Sequence, residues 1–261
     1  MMKKQFAERV LENRLIAENT YLMRLTCAEE VIRLFRPGQF AHIEIPNAGE
    51  LLLRRPISIN YVDSAKKEVH LAYNVVGKGT ERLSHVHPND VIDVLMPLGN
   101  GFQLTDSMKK VWLVGGGIGI APLKSLTCKY PDREYTAFLG YRSKSCVYEV
   151  KDFEAFAKTY VTTDDGSYCR KGFCTDVLLE EIEKSGAPDV ILACGPHLFF
   201  RSLARVVEKI GGIPAFVSLE QRMGCGTGGC ATCVCKVGGK HKKVCLQGPV
   251  FPIREVDSLY D

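Results

Sequence analysis

The feature that most constrains this chain is a group of four cysteines in its C-terminal part. Cys225 is followed by Cys230 after four residues and by Cys233 after two more, and Cys245 comes after a further eleven. This is the ligand spacing of the plant-type [2Fe–2S] cluster. The glycines between residues 224 and 229 permit positive φ angles and let backbone N–H groups approach the sulfurs. The sequence therefore predicts a [2Fe–2S] cluster on these four thiolates.

Structural zinc is the main alternative for this cluster. Zinc sites favour two close cysteine pairs, and only Cys230 and Cys233 form such a pair here. Cys235 breaks the spacing and is interpreted as a bystander. The chain has eleven cysteines, but charged residues from position 3 onward leave no room for the apolar core of a signal peptide. We therefore expect a cytoplasmic protein, in which clustered cysteines indicate metal.

Charge and hydropathy exclude two further classes of protein. The net charge is +4 over 261 residues and the basic residues are scattered, which does not indicate a nucleic-acid binder. The short basic run at residues 240–243 is interpreted as a solvated turn, with a contact surface as the alternative. No apolar run is long enough to span a bilayer. We expect neither a nucleic acid nor a membrane as partner.

The N-terminal span, residues 1–104, carries short apolar alternations separated by turn residues. They lie at residues 38–45, 57–62, 69–76 and 91–96. Repeated short strands of this kind are typical of a small antiparallel barrel or sandwich. The sequence therefore predicts an antiparallel β domain over residues 1–104.

The middle span, residues 105–220, alternates buried-type strands with helical periodicity. The strands are predicted at residues 111–114, 135–139, 159–163, 190–193 and 214–219, and helices over residues 177–182 and 198–210. This order indicates an α/β domain with a parallel sheet. The last span, residues 221–261, is rich in glycine and cysteine, and we expect it to need a metal centre in order to fold.

Two segments of the middle span are candidates for dinucleotide binding. A glycine turn at residues 115–119 follows a strand, so that its amides and the next helix could face a phosphate. The third glycine of the usual fingerprint is replaced by Pro122, and a plain structural turn remains the alternative. A second loop ends a later strand, at the edge where α/β sheets bind ligands. The candidate residues are Gly117, Gly119, Cys194, Gly195 and Pro196.

A third candidate element places two arginines in an apolar context, at Arg54 and Arg55. Exposed edge charges are one reading of this pattern. The other is phosphate recognition, because arginine offers forked donors to an anion and Ser58 adds a hydroxyl.

Taken together, these elements resemble the ferredoxin–NADP reductase superfamily, and within it the electron-transfer subunits of class 1B dihydroorotate dehydrogenases. The resemblance is carried by residues 52–58, 99–102, 164–167, 223–226 and 243–251, in this order over nearly the whole chain. It implies an FAD-binding barrel, an NAD-binding α/β domain and a [2Fe–2S] domain, with the boundaries 1–104, 105–220 and 221–261.

The resemblance also implies a set of FAD-binding residues. They are Arg55, Pro56, Ile57, Ser58, Ala72, Tyr73, Asn74, Gly79 and Thr80. Two positions depart from the family pattern: Asn74 stands where an arginine is usual, and Cys169 stands where a glycine is common. The first departure puts the contact of residue 74 with FAD in doubt.

The implied function is electron transfer in de novo pyrimidine (UMP) biosynthesis. Electrons would run from dihydroorotate through the FMN of a separate catalytic subunit, in a heterotetramer, to the cluster, the FAD and NAD. No acid or base residue of this chain is required. One alternative is a subunit of another NAD(P)H-linked oxidoreductase, of the sulfite reductase or ferredoxin-linked transhydrogenase type. The other is a non-redox binding module with structural zinc.

The choice of nicotinamide rests on the family, which implies NAD. An acidic residue at the end of the second strand would bind the ribose hydroxyls and repel a 2′-phosphate. No acid lies there, Arg142 could accept a phosphate or be an exposed loop charge, and the nearest acid downstream is Glu149.

Overall fold

The computed structural model of the protein describes residues 5–46 and 49–259. Its first part is a closed barrel of antiparallel strands in the order β1-β2-β5-β4-β3-β6. Its elements are β1 (Gln5–Ala17), β2 (Thr20–Thr26), α1 (Glu29–Leu34), β3 (Phe40–Ile43), β4 (Arg55–Asp63), β5 (Glu68–Asn74), α2 (Lys78–Ser84) and β6 (Val91–Leu98). The predicted barrel is confirmed. Residues 1–4, whose charges argued against a signal peptide, lie outside the described residues.

Side chains along the barrel strands alternate between an inner and an outer face. On β4, Ile57 and Ile59 belong to the buried barrel core, whereas Pro56 and Ser58 alternate with them. The outer face of β4 is therefore the surface that the predicted flavin motif presents.

The second part is a sheet whose strands β7 to β12 all pair in parallel, as the alternation of strands and helices predicted. The elements are β7 (Lys110–Gly116), α3 (Ala121–Lys124), α4 (Leu126–Lys129), β8 (Glu134–Tyr141), α5 (Val150–Glu154), β9 (Ala157–Thr163), β10 (Arg170–Lys171), α6 (Cys174–Ser185), β11 (Val190–Cys194), α7 (His197–Ile210) and β12 (Ala215–Ser218). The glycine turn after β7 forms a 3₁₀ turn (Gly117–Ile120) before α3 begins.

The order of the strands creates a switch point beside β7. The chain runs outward from β7 through β8, β9 and β10, and then returns to place β11 on the opposite side of β7. Open α/β sheets bind ligands outside the carboxyl ends of the strands at such a point. Both predicted nucleotide-binding segments follow the strands that meet there.

The longer helices of the sheet are amphipathic. Val177 and Leu178 of α6, and Leu203 and Val207 of α7, are buried in one core beneath the sheet, in agreement with the predicted periodicity. The longest helix is α7, with 14 residues. Within residues 5–46 and 49–259, no helix is long and apolar enough to cross a membrane.

The C-terminal segment comprises β13 (Val234–Val237), β14 (Lys240–Lys243), α8 (Val244–Gln247) and β15 (Val250–Pro252). β13 and β14 form a hairpin, and β15 pairs antiparallel with β12 at the edge of the seven-stranded sheet. The sheet is therefore mixed, because the span predicted as a separate cluster domain contributes its last strand. The division into 1–104, 105–220 and 221–261 stays a prediction.

A polar contact joins the barrel to the sheet where β4 passes α3. The amide Nδ2 of Asn60 donates to the carbonyl of Ala121 at 3.1 Å and to Glu149 Oε2 at 2.8 Å. Glu149 also binds Lys124 Nζ at 2.8 Å. Since these groups are largely buried, the contact fixes the orientation of the barrel surface relative to the switch point.

Candidate functional site

The four predicted cluster cysteines form two pairs of thiols. The backbone N–H groups of Cys225 and Cys230 each point at the other residue's Sγ, at 3.3 and 3.4 Å. The N–H of Cys245 lies 3.4 Å from Sγ of Cys233. Each iron of a [2Fe–2S] cluster takes two protein ligands. Two adjacent pairs of thiols therefore suit a dinuclear cluster. In the part of the chain that the structure describes, no three or more Cys, His, Asp or Glu side chains are grouped as ligands of a single metal ion.

The surroundings of the two pairs differ in polarity. Burial opposes the ionisation of Cys225, but hydrogen bonds from the backbone of Cys230 and from Thr227 lower its pKa to about 5. Burial, with Cys233 beside it, raises the pKa of Cys245 to about 11. Because the thiolate is the form that binds metal, Cys245 would lose its proton on binding.

The C-terminal segment is held to the barrel by Asn100. Its backbone N–H donates to the carbonyl of Gly248 at 2.6 Å, and its side chain donates to that of Leu246 at 3.1 Å. Lys243 Nζ donates to the carbonyl of Gly228 at 2.7 Å and so ties the cysteine loop to β14. Residues 99–102 and 243–251, which both carried the resemblance, thus contact each other.

The predicted flavin residues Arg55 and Gly79 are brought together. A Cβ on Gly79 would lie 2.6 Å from Nη2 of Arg55, so a side chain at position 79 would displace the guanidinium from its present place. Arg55 also donates to the carbonyl of Leu53. Arg55 is half-buried at the start of β4, so part of its forked donor stays accessible, which fits a phosphate or similar anion.

Other predicted flavin residues are committed to the barrel itself. Tyr73 is buried in the core, where its hydroxyl donates to Asn13 Oδ1 at 2.9 Å. The hydroxyl of Thr80 accepts from the N–H of Val76 at 2.9 Å and thereby orders the start of α2. Asn74 Oδ1 accepts from the hydroxyl of Thr20 at 2.9 Å. For Tyr73 and Thr80, the backbone is what remains available to a flavin.

Ile57 and Ala72 are also buried, each in a different core. Ile57 faces the interior of the barrel, whereas Ala72 packs with residues of the sheet. Pro56 and Ser58 remain half-exposed on β4. Of the residues predicted from the resemblance, Arg55, Pro56 and Ser58 therefore offer partly exposed atoms on β4, whereas Gly79 is buried against the guanidinium of Arg55.

The two predicted nucleotide segments meet at the switch point. A Cβ on Gly119 would lie 2.5 Å from the backbone nitrogen of Gly195, and one on Gly116 would lie 3.3 Å from Pro196. The carbonyl of Gly117 accepts from the hydroxyl of Tyr148 at 3.2 Å. The glycines thus let the 3₁₀ turn and the loop after β11 approach closely. The edge of the crevice between them is formed by backbone groups.

Cys194 takes no exposed position in this crevice. Its thiol donates to the carbonyl of Ser218 at 3.6 Å, and burial raises its pKa to about 12. The residue therefore holds β11 to β12 with its side chain, and only its backbone faces the glycine turn.

An acidic residue at the carboxyl edge of the sheet was missed by the sequence analysis. Asp164 follows β9, and its N–H donates to the carbonyl of Tyr141, the last residue of β8, at 3.0 Å. Burial and the neighbouring Asp165 raise the pKa of Asp164, while the charge of Arg142 opposes the shift. An acid was expected directly after β8, whereas this one follows the adjacent strand, β9.

A second missed residue is His42 on β3. It is fully buried, and burial together with the charge of Arg54 lowers its pKa to about 4. A Cβ on Gly226, in the cysteine loop, would lie 2.5 Å from its Nδ1. The only signal in the sequence is a histidine within the apolar run of residues 40–45.

Comparison with known proteins agrees with this arrangement. The family pattern of the iron–sulfur cluster binding domain of dihydroorotate dehydrogenase B matches residues 220–257. The dihydroorotate dehydrogenase B (NAD(+)) electron transfer subunit of Geobacillus thermodenitrificans is 42% identical over 255 residues, covering 95% of this chain and 96% of that protein. The subunit of the same name from Bacillus caldolyticus shows the same identity and coverage.

A solved structure is similar over almost the whole fold. It is that of an NADH-dependent reduced ferredoxin-NADP oxidoreductase, with a TM-score of 0.84 and 31% identity, covering 97% of this chain and 91% of that chain. The two electron transfer subunits are more similar in sequence than this structure, with 42% identity against 31%. The chain therefore belongs to the family of electron transfer subunits of dihydroorotate dehydrogenase B (NAD(+)).

Proposed function

We propose that this chain carries FAD and a [2Fe–2S] cluster and passes electrons from an FMN-containing dihydroorotate dehydrogenase subunit to NAD⁺. One observation carries the proposal: the predicted flavin strand and the cysteine loop lie on the same side of the barrel, with one residue between them. His42 on β3 is paired with Pro56 on β4 and contacts Gly226 of the loop. Two redox groups bound there would be close neighbours.

The chemistry supports this order of cofactors. NAD⁺ accepts two electrons as a hydride, an iron–sulfur cluster handles one, and a flavin can do both. The residues of the chain bind and orient these groups. Arg55 would hold an anionic part of the FAD, the four cysteines would hold the cluster, and the turn at Gly117 would receive the nicotinamide dinucleotide at the switch point.

The partner would approach at the cysteine loop, since Cys230 is exposed while Cys233 and Cys245 are buried. An exposed edge shortens the path from an external electron donor. We infer a heterotetramer with the FMN subunit, acting in pyrimidine biosynthesis. We place it in the cytoplasm, where a reducing environment keeps such thiols free for metal.

The test is reconstitution with the catalytic subunit. The chain alone should bind about one FAD and one [2Fe–2S] cluster and oxidise NADH with an artificial acceptor. Together with an FMN dihydroorotate dehydrogenase subunit, it should form NADH from NAD⁺ and dihydroorotate. A colourless preparation without iron would contradict the proposal, and would favour the zinc-binding module.

A second candidate is supported by the structural likeness to the NADH-dependent ferredoxin-NADP oxidoreductase. In that case the chain would exchange electrons with ferredoxin. The same preparation distinguishes the two functions. Reduction by the dihydroorotate-oxidising subunit supports the first, whereas reduction only through a ferredoxin-linked partner supports the second.

A further inference from the structure

His42 is a fully buried polar residue with no ordinary structural role. Its exposed fraction is 0%, and neither Nδ1 nor Nε2 has a hydrogen-bond partner among residues 5–46 and 49–259. A buried polar group without a partner destabilises the fold, because it has lost its hydrogen bonds to water. A site that retains such a group therefore indicates a ligand for it.

The direction of the ring follows from the alternation on β3. Ala41 and Ile43 belong to the barrel core, so Phe40 and His42 point outward. Phe40 packs in the same core as Cys233 and Cys245. The cysteine-bearing segment thus packs on the outward face of β3, and His42 is the polar residue that β3 contributes to this face.

His42 also adjoins the flavin motif. It lies directly opposite Pro56 in the register of β3 with β4, as Phe40 lies opposite Ser58. Residues directly opposite in an antiparallel pair have Cβ atoms about 4.5–5.5 Å apart. The backbones of Arg54, just before the flavin motif, and of Cys225, the first predicted cluster ligand, lie near enough to the ring to oppose the fall in its pKa, although neither has the geometry of a hydrogen bond to a ring nitrogen.

Gly226 lets the ring approach the cysteine loop. Its φ is +65°, and a Cβ there would collide with the imidazole at 2.5 Å from Nδ1 and 3.1 Å from Cε1. A side chain at position 226 would push the loop away from β3. The backbone of the cysteine loop therefore packs directly against the imidazole, at the residue that follows Cys225.

We propose that His42 is a positioning residue of the electron path, which seats the cluster loop on the flavin-binding strand and donates a ring N–H hydrogen bond to a sulfur of the cluster. The inference rests on the proposed function, because it requires the cluster. Hydrogen bonds to sulfur stabilise the reduced, more negative cluster and so raise its reduction potential.

The first experiment detects the contact directly in the wild-type protein. The chain is produced with ¹⁵N-labelled histidine, reduced with dithionite, and studied by pulsed electron paramagnetic resonance of the reduced cluster. We expect a nitrogen coupling that changes with the label. It should disappear in His42→Asn and persist in a matched variant, His70→Asn. His70 is a second barrel histidine, whose ring lies 3.2 Å from Glu68 Oε2.

The second experiment measures the cluster potential by redox titration of the intact chain. His42→Leu keeps the volume but removes the N–H, and should lower the potential by an amount equivalent to about a tenfold change in the reduction equilibrium, or about 59 mV for one electron. His42→Asn, which retains an N–H donor, should recover part of this shift. FAD and iron contents of the Asn variant should stay at the wild-type level.

The outcomes separate the two hypotheses. A chain without iron contradicts the proposed function itself. A chain with a full cluster, but with no label-dependent coupling and an unchanged potential in His42→Asn and His42→Leu, overturns only the role of His42. If His42→Leu fails to fold, the labelled wild-type protein and His42→Asn still decide.

Discussion

The barrel and the C-terminal segment bury their apolar side chains in different ways. The barrel encloses a core of its own, in which Met23, Leu25 and Leu71 are fully buried among residues up to Met96. The C-terminal segment has no such core, because its buried residues, such as Val244, join the core of the sheet. A closed barrel can hold its shape from within, whereas a glycine-rich segment of this size depends on neighbours and on a bound group.

This difference implies that the two predicted cofactor sites are stabilised in different ways. The predicted flavin surface is the outer face of a closed barrel, so its geometry does not depend on a bound ligand. The cysteine loop and the residues that follow it are held chiefly by Asn100, by Lys243 and by the outward face of β3. Damage to the cluster should therefore loosen the segment and spare the barrel.

The largest effect is expected from loss of a cluster ligand. Cys245→Ser should abolish or severely weaken cluster binding, because one iron would lose half of its protein ligands. Iron and sulfide analysis measures this. Hydrogen exchange should show lost protection after residue 225 and unchanged protection in the barrel.

The matched control is Cys235→Ser. Cys235 is half-buried on β13 outside the two thiol pairs, and burial raises its pKa. This variant should keep its iron. Full cluster occupancy in Cys245→Ser would refute the ligand assignment. Loss of hydrogen-exchange protection in the barrel would show that the barrel, too, depends on the cluster.

The next effect concerns the flavin surface. Arg55→Ala should lower FAD affinity by about 1.5–3 kcal/mol, or roughly ten- to a hundredfold, because a charged hydrogen bond is lost. Iron should stay, since the cysteine loop does not use this residue. Lysine should restore the affinity only in part, because it is a point charge rather than a fork.

FAD content after gel filtration and a fluorescence titration measure the affinity. Arg14→Ala is the control, since Arg14 is exposed and bound to Glu12 at 3.1 Å. Unchanged affinity in Arg55→Ala would place the flavin elsewhere.

A smaller effect is expected at the carboxyl edge of the sheet. If the ribose of the dinucleotide binds at this edge, Asp164→Asn removes a negative charge beside it, so the ratio of kcat/KM for NADPH to that for NADH should rise about tenfold, or about 1.4 kcal/mol. Arg142→Ala should lower the use of NADPH. Diaphorase assays with both nucleotides measure the ratio.

Asp132→Asn serves as the comparison, because Asp132 precedes β8 and so lies at the opposite edge of the sheet. A wild-type preference for NADPH of tenfold or more would overturn the assignment to NAD. It would also favour the ferredoxin-linked function over the dihydroorotate one.

The smallest effect concerns Cys169, which stands where the family often has glycine. Its φ is +52°, a left-handed conformation that costs a residue with a Cβ about 1 kcal/mol. Cys169→Gly should relieve this strain, partly offset by the greater freedom of glycine in the unfolded chain. We expect Tm to rise by about 2 °C or less.

The control is Cys146→Gly, in a 3₁₀ turn of ordinary conformation, which should lower Tm instead. Thermal denaturation of the two variants side by side checks the sign. A lower Tm in Cys169→Gly would show that the thiol makes a contact worth more than the strain.

Much of the fold was predictable because its signals are local. The alternation of apolar residues in the barrel and the 3.6-residue period of α7 are readable within a short window, as is the spacing from Cys225 to Cys233. The predicted strands and the confirmed parallel order followed from these windows. The pairing of β15 with β12 did not, because nothing in a three-residue strand indicates its partner.

The sequence by itself determined which residues can carry the chemistry, since ligand spacing and motif order are properties of the chain. Only the tertiary structure decided which side chains reach a common surface. In the folded chain Tyr73 points into the barrel core. Asp164 lies beside Tyr141 of the neighbouring strand, and His42 contacts Gly226. These contacts join residues far apart in the chain, and their geometry depends on strand register and on the face that each residue occupies, which no local pattern specifies.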